Sequence, residues 1–163
     1  MTTLSATDAR RQFDEIIAES IVNAQGLKES LEDERQALEK QDMGAMQVAV
    51  DNKSVYVKTL QDLDLRREEL CQSLGFQTGA GQMSQLIEWC DDGDLINNRW
   101  QQLMVIAADS RALNMTNGAI IRVRQQQIES SLSLIRGTAP GSDTYGHNGA
   151  EFGDYGSRSL AEA

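Results

Sequence analysis

The residues able to make bonds or hold metals in this chain are few, and their spacing keeps them apart. The sole histidine, His147, lies in a glycine-rich segment far from Cys71 and Cys90. A nucleophile and its base must be held within hydrogen-bond reach, which a glycine-rich string does not do. Helical enzymes that bind two metals need Glu-x-x-His pairs on facing helices, and one histidine cannot supply them. Asp91-Asp92-Gly93-Asp94 has the acidic start of a calcium loop but lacks its alternating ligands and distal glutamate. It reads instead as a glycine turn followed by Asp94 as a helix N-cap. The other carboxylates are interleaved with Lys and Arg, as in Glu32-Asp33-Glu34-Arg35, the pattern of a solvated helix face. Cys71 and Cys90 sit among apolar helical residues, which predicts buried thiols and no disulfide. The expectation is a protein that is not an enzyme and uses no metal or cofactor.

What remains is surface chemistry, and long helices must position it. Over residues 8–40 the apolar positions Phe13, Ile17, Ala24, Leu27, Leu31 and Leu38 mark one face, with Ile17, Ala24, Leu31 and Leu38 spaced by sevens. At ~1.5 Å per residue such a helix is about 50 Å long, so other long helices must cover its stripe. Gln41-Asp42 predicts a short turn with Asp42 as N-cap. A second helix over residues 43–74 carries Met46, Val50, Val57, Leu60, Leu63, Leu70 and Leu74, and Gly75 ends it. Three glycines then mark residues 75–82 as a loop, and residues 83–90 suffice only for a two-turn helix around Leu86, Ile87 and Trp89, expected to plug one end of a bundle.

The last helix, residues 95–136, has Trp100, Leu103, Ala107, Ile121, Ile128, Leu132 and Ile135 on one face. Asn114 and Asn117 occupy inward positions there and Gly118 follows, a polar insertion that fixes register between helices as a buried Asn does in a coiled coil. Against the two preceding helices this one is longer by about ten residues, or ~15 Å. Its surplus end, with Ile128, Leu132, Leu134 and Ile135, is therefore expected to lack a full partner and to act as an interaction site. The methionines Met43, Met46, Met83, Met104 and Met115 are expected mainly to fill core gaps.

Composition narrows the function classes. The chain of 163 residues is 40% hydrophobic and 5% aromatic with one proline, which excludes an all-β sandwich needing frequent turns and β-branched runs. The formal charge of −10 excludes a duplex-coating nucleic-acid binder. The charge is uneven: residues 1–94 carry 9 basic and 19 acidic groups, residues 95–136 carry 5 and 2, and residues 137–163 carry 1 and 4. The opening residues hold no apolar secretory core and no stretch is long enough to span a bilayer, so the cytoplasm is the expected location. Residues 137–163 hold six of the 13 glycines and the only proline, the composition of a flexible tail. They also hold Tyr145, Phe152 and Tyr155, which suggests a docking string. The expected architecture is all-α: an antiparallel bundle of three long helices plus one short helix over residues 1–136, then a flexible Gly-rich tail over 137–163. Such a chain suits a protein that docks to partners, or a coiled-coil scaffold or adaptor.

One family fits this order of elements. Asn117-Gly118 inside the last helix, the Gln-rich amphipathic stretch 119–136, Gly137, and then Tyr145-Gly146-His147-Asn148-Gly149 resemble the FlgN family, flagellar type III export chaperones for hook-associated proteins. Leu31 through Leu38, followed by Asp42 and Lys53, is similar to the family's first helical hairpin, so the resemblance spans residues 13–149. The aromatic stretch Phe152-Gly153-Asp154-Tyr155-Gly156 departs from the pattern. The resemblance implies a chaperone without ATP chemistry that binds the C-terminal regions of FlgK and FlgL through its last amphipathic helix, here Ile121, Ile128, Leu132, Leu134 and Ile135. It also implies delivery to the cytoplasmic domain of FlhA through a tail tyrosine, here Tyr145, with Asn117, Gly118, Gly146 and Gly149 as motif positions.

Overall fold

Apolar spacing of three, four and seven along most of the chain can be satisfied only by helices, and the computed structural model, which describes residues 5–77, 79, 81–91 and 93–137, contains four of them and no strand among those residues. They are α1 (Ala6–Lys40), α2 (Met43–Ser73), α3 (Gln82–Cys90) and α4 (Leu95–Ile135). No helix among the described residues is long and apolar enough to cross a membrane. By packing, the chain divides after Arg124, so that most of α4 belongs to the first unit and its last turns, from Gln125 on, to the second.

The helix ends follow from local chemistry. Ser5 caps α1, its hydroxyl accepting from the Asp8 N–H at 3.1 Å and donating to the Asp8 carboxylate at 2.7 Å. Gln41 adopts a left-handed conformation (φ 58°), and Asp42 then caps α2 by accepting from the Ala45 N–H at 3.0 Å. Two residues thus join α1 to α2. Gly75, at φ 85°, follows the end of α2 in the left-handed region that a side chain disfavours.

α1 and α2 pack closely along their length. The seven-spaced series Ile17, Ala24, Leu31 and Leu38 is buried throughout. Gly26 allows the Tyr56 ring of α2 to lie directly against the α1 backbone, where a Cβ would collide with it. Glu34 meets Lys53 at 2.7 Å, and Glu19 meets Arg66 at 3.1 Å. The core cluster sits at the other end from the turn: Phe13, Ile16 and Ile17 of α1 pack with Leu70 and Cys71 of α2, Met83, Leu86 and Cys90 of α3, and Ile96 of α4. The two-turn helix α3 does supply this end cluster, through Leu86 rather than through Trp89, which is exposed and edges Phe76 at 5.8 Å.

Two local expectations are corrected. Asp94 is not the side-chain cap of α4: it takes φ 56°, and Asp91, three residues earlier, accepts from the Asn97 N–H at 3.0 Å. The Asp91 carboxylate lies there 3.9 Å from the Arg10 guanidinium and serves as the cap of α4. Met43, Met104 and Met115 are exposed rather than core-filling, whereas Met83 is buried. Flexible thioethers on a surface give an adaptable contact face.

Candidate functional site

α4 is fastened to α1 by polar pins. Arg99 pairs with Asp14, Lys28 Nζ reaches Asp109 Oδ2 at 2.8 Å, and Asn117 Nδ2 donates to the Leu31 carbonyl at 2.9 Å and to Glu34 Oε2 at 2.8 Å. The hydrogen bond that Lys28 donates to Asp109 raises the Lys28 pKa above its ordinary value, against a smaller opposing effect of desolvation. The Asn117 node is buried: Glu34, 2% exposed, receives Lys53 on one oxygen and Asn117 on the other. A buried carboxylate is tolerable only when so paired, and such a pair tolerates little sliding of one helix past another. Asn117 is thus buried against α1, at the inward position its spacing predicts. Asn114 is instead exposed and lines the groove described below.

The buried positions of α4 are Ile96, Ile106, Ser110 and Asn117. Trp100, Leu103 and Ala107, expected as core, are only half-buried, because they face a groove of about 590 Å³ between α2 and α4 with α1 as its floor. Its walls are largely apolar, with Leu27, Val57, Leu60, Leu103, Met104 and Ala107 among them. Arg67, bonded to Asp64 and to Gln82 Oε1, places its guanidinium 5.8 Å from the Trp100 ring across the groove's end. A smaller recess of about 420 Å³ adjoins it at Lys53 and Asn114 and is lined by Asn117, Gly118, Ile121 and Arg122. A Cβ on Gly118 would meet only ordinary van der Waals contact with Arg122, so space alone does not demand glycine there.

Beyond Arg124 the helix continues with Ile128, Leu132, Leu134 and Ile135, exposed by 60%, 42%, 72% and 82%. These are four of the five residues expected to bind a client; the fifth, Ile121, is half-buried in the first unit. Tyr145, Gly146, Gly149 and the rest of the tail expected over 138–163 lie outside the described residues.

Nothing among the described residues gathers three or more His, Cys, Asp or Glu in reach of one metal ion. Cys71 and Cys90 are buried and joined by no disulfide, and burial pushes the Cys71 thiol pKa up despite the Arg67 charge nearby. The groove was missed in the sequence because its apolar positions are spaced like core positions.

Comparison with known proteins places this architecture. No curated protein and no solved structure matches the chain. The family model described as FlgN protein matches residues 9–151, which includes all four helices almost entirely. A helical chain with an exposed apolar helix end and a match over most of its length is thus assigned: it belongs to the FlgN family of flagellar export chaperones.

Proposed function

We propose that this chaperone holds the C-terminal regions of the hook-associated proteins FlgK and FlgL, prevents their premature association, and delivers them in the cytoplasm to the export gate, the cytoplasmic domain of FlhA. The observation that carries this reading is the exposed row Ile128, Leu132, Leu134 and Ile135 at the end of α4. Apolar side chains gathered on a helix end in water normally mark an interaction surface. A client terminus meant to pack against neighbours after assembly is itself apolar, and covering it with Ile121, Ile128, Leu132 and Ile135 keeps it from aggregating without a cofactor or covalent step. The same reading takes the long helices as an antiparallel bundle, which the Glu34 to Lys53 and Glu19 to Arg66 pairs support. Tyr145 serves the gate, and Asn117, Gly118, Gly146 and Gly149 are the family positions that frame helix and tail.

The test separates the two partners on two variants of the full chain. Ile128→Asp with Leu132→Asp is expected to weaken FlgK and FlgL binding at least a hundredfold, since each apolar side chain buried contributes ~1.5 kcal/mol or more. Helical content and melting should stay near those of the parent, because both residues are exposed in the free chain. Tyr145→Ala should leave client binding unchanged and weaken binding of the loaded chaperone to the FlhA domain by about thirtyfold or more, the cost of truncating an aromatic anchor. Unfolding of the first variant would make its residues core, and equal loss of both bindings in the second would end the division of labour between helix and tail.

A further inference from the structure

The groove between α2 and α4 is a different surface from the exposed end of α4, and it is as long as a helix of about four turns. It is lined on α4 from Trp100 to Asn114 and on α2 from Lys53 to Arg67, in each case about four helical turns or ~21 Å. Its volume of about 590 Å³ equals that of roughly 20 waters of bulk liquid, held against mostly apolar walls where they find few partners. α4 is pinned to α1 by the Arg99–Asp14 and Lys28–Asp109 pairs and by Asn117, whereas along the groove Arg67 of α2 reaches across to the Trp100 ring. Three long helices in this arrangement leave open the fourth position of a four-helix bundle.

The rim says what belongs there. Lys53, Arg67 and Arg111 line the groove and Arg122 lines the recess that adjoins it, against Asp64 and Glu34. Glu34 is consumed by Lys53 and Asn117, and Asp64 by Arg67. Arg111 and Arg122 are exposed and form no ion pair among the described residues. In a chain of charge −10, this is a locally basic rim around an apolar floor. Met104, exposed on the α4 wall, adds a side chain that can adapt to an incoming surface. Ser110 Oγ, which lines the groove, is buried and bonds to no protein group, so the α4 wall keeps unmet polar capacity there.

We propose that this groove is a docking site for an acidic amphipathic helix of a partner protein, about four turns long, whose apolar stripe enters between α2 and α4 and whose flanking carboxylates meet Arg111 and Arg122. This second site stands whether or not the end of α4 holds clients, since the two surfaces lie in separate units of the chain.

The probe is a labelled helical peptide of about four turns, with leucines at spacings of three and four and glutamates flanking them, titrated with the full chain. A second peptide has lysine in place of every glutamate. The glutamate peptide should bind at least about tenfold more tightly, and Arg111→Glu with Arg122→Glu should reverse that order. Ala107→Phe, which fills the groove, should weaken the glutamate peptide by about tenfold or more without lowering the melting temperature. Ile128→Asp with Leu132→Asp should leave peptide binding as it was, which separates this site from the client surface. Equal binding of the two peptides, or indifference to both groove variants, overturns the proposal. So does a dimer abolished by Ala107→Phe, which would assign the groove to a second copy, and so does peptide binding seen only after residues 138–163 are removed, which would assign it to the chain's own C-terminal segment.

Discussion

α1 and α4 carry apolar series of the same period and meet opposite fates. In α1 the positions Ile17, Ala24, Leu31 and Leu38 are each less than 5% exposed. In α4 the seven-spaced series Trp100, Ala107, Asn114, Ile121, Ile128 and Ile135 begins half-buried beside a groove and ends at 82% exposed. The difference is not in the spacing but in what lies opposite. α1 has α2 of nearly its own length joined to it by a two-residue turn, whereas α4 has 41 residues against the 31 of α2. A heptad series therefore reports which face a helix offers, and only the lengths and connections of its neighbours report whether that face is covered.

Replacing one leucine in each series gives the largest contrast. Leu31→Ala should cost about 3 kcal/mol or more of unfolding free energy in denaturant titration, while Leu132→Ala should stay within about 0.5 kcal/mol. Similar losses at both positions would mean that the end of α4 is core after all. Next in size is the polar node that holds the two helices together. Lys53→Ala strands the buried Glu34 carboxylate with Asn117 as its remaining donor and should cost about 2 to 3 kcal/mol, discounted because Lys53 is a quarter exposed.

Asn117→Leu removes the donor to both Leu31 and Glu34, and a loss of about 1 to 3 kcal/mol is expected, with new oligomers on size exclusion as register is released. Asn114→Leu, at an exposed position, should change stability little, and a matching loss there would contradict the assignment of register to Asn117 alone. The smallest effect belongs to Gly118. Nothing crowds its place in the helix, so Gly118→Ala should raise stability by up to about 1 kcal/mol in a thermal melt. Destabilisation instead would show that the helix needs glycine at this point.

Much of this was legible in the residues. The turn at Gln41-Asp42, the helix end at Gly75, the buried thiols and the two-turn α3 all follow from caps, glycines and apolar spacing, which act over a few residues. The inward place of Asn117 was legible because a polar side chain on an apolar face must find a partner. Asn114 was misread because residues three apart share one helix face, and only the partner helix decides that Asn117 is covered while Asn114 opens onto the groove. Asp94 was misread because both Asp91 and Asp94 can cap, and backbone conformation chose between them. The groove was illegible: half-buried Leu103 and Ala107 are the same letters that fill a core, and the gap depends on how far α4 stands from α2.

The two-residue turn also sets an order in time. Every contact between α1 and α2 lies within residues 6–73, so this hairpin is complete once that part of the chain has emerged during synthesis. Helical hairpins with such local contacts form in microseconds to milliseconds, whereas the 62 residues from Leu74 to Ile135 take roughly 3 to 12 s to make at ~5–20 residues per second. For those seconds the hairpin waits alone, with the faces of α1 and α2 that later floor and wall the groove bare to water. α4 then arrives at a preformed platform, and its ion pairs and single asparagine act as latches that select one alignment among the many a long apolar helix could take.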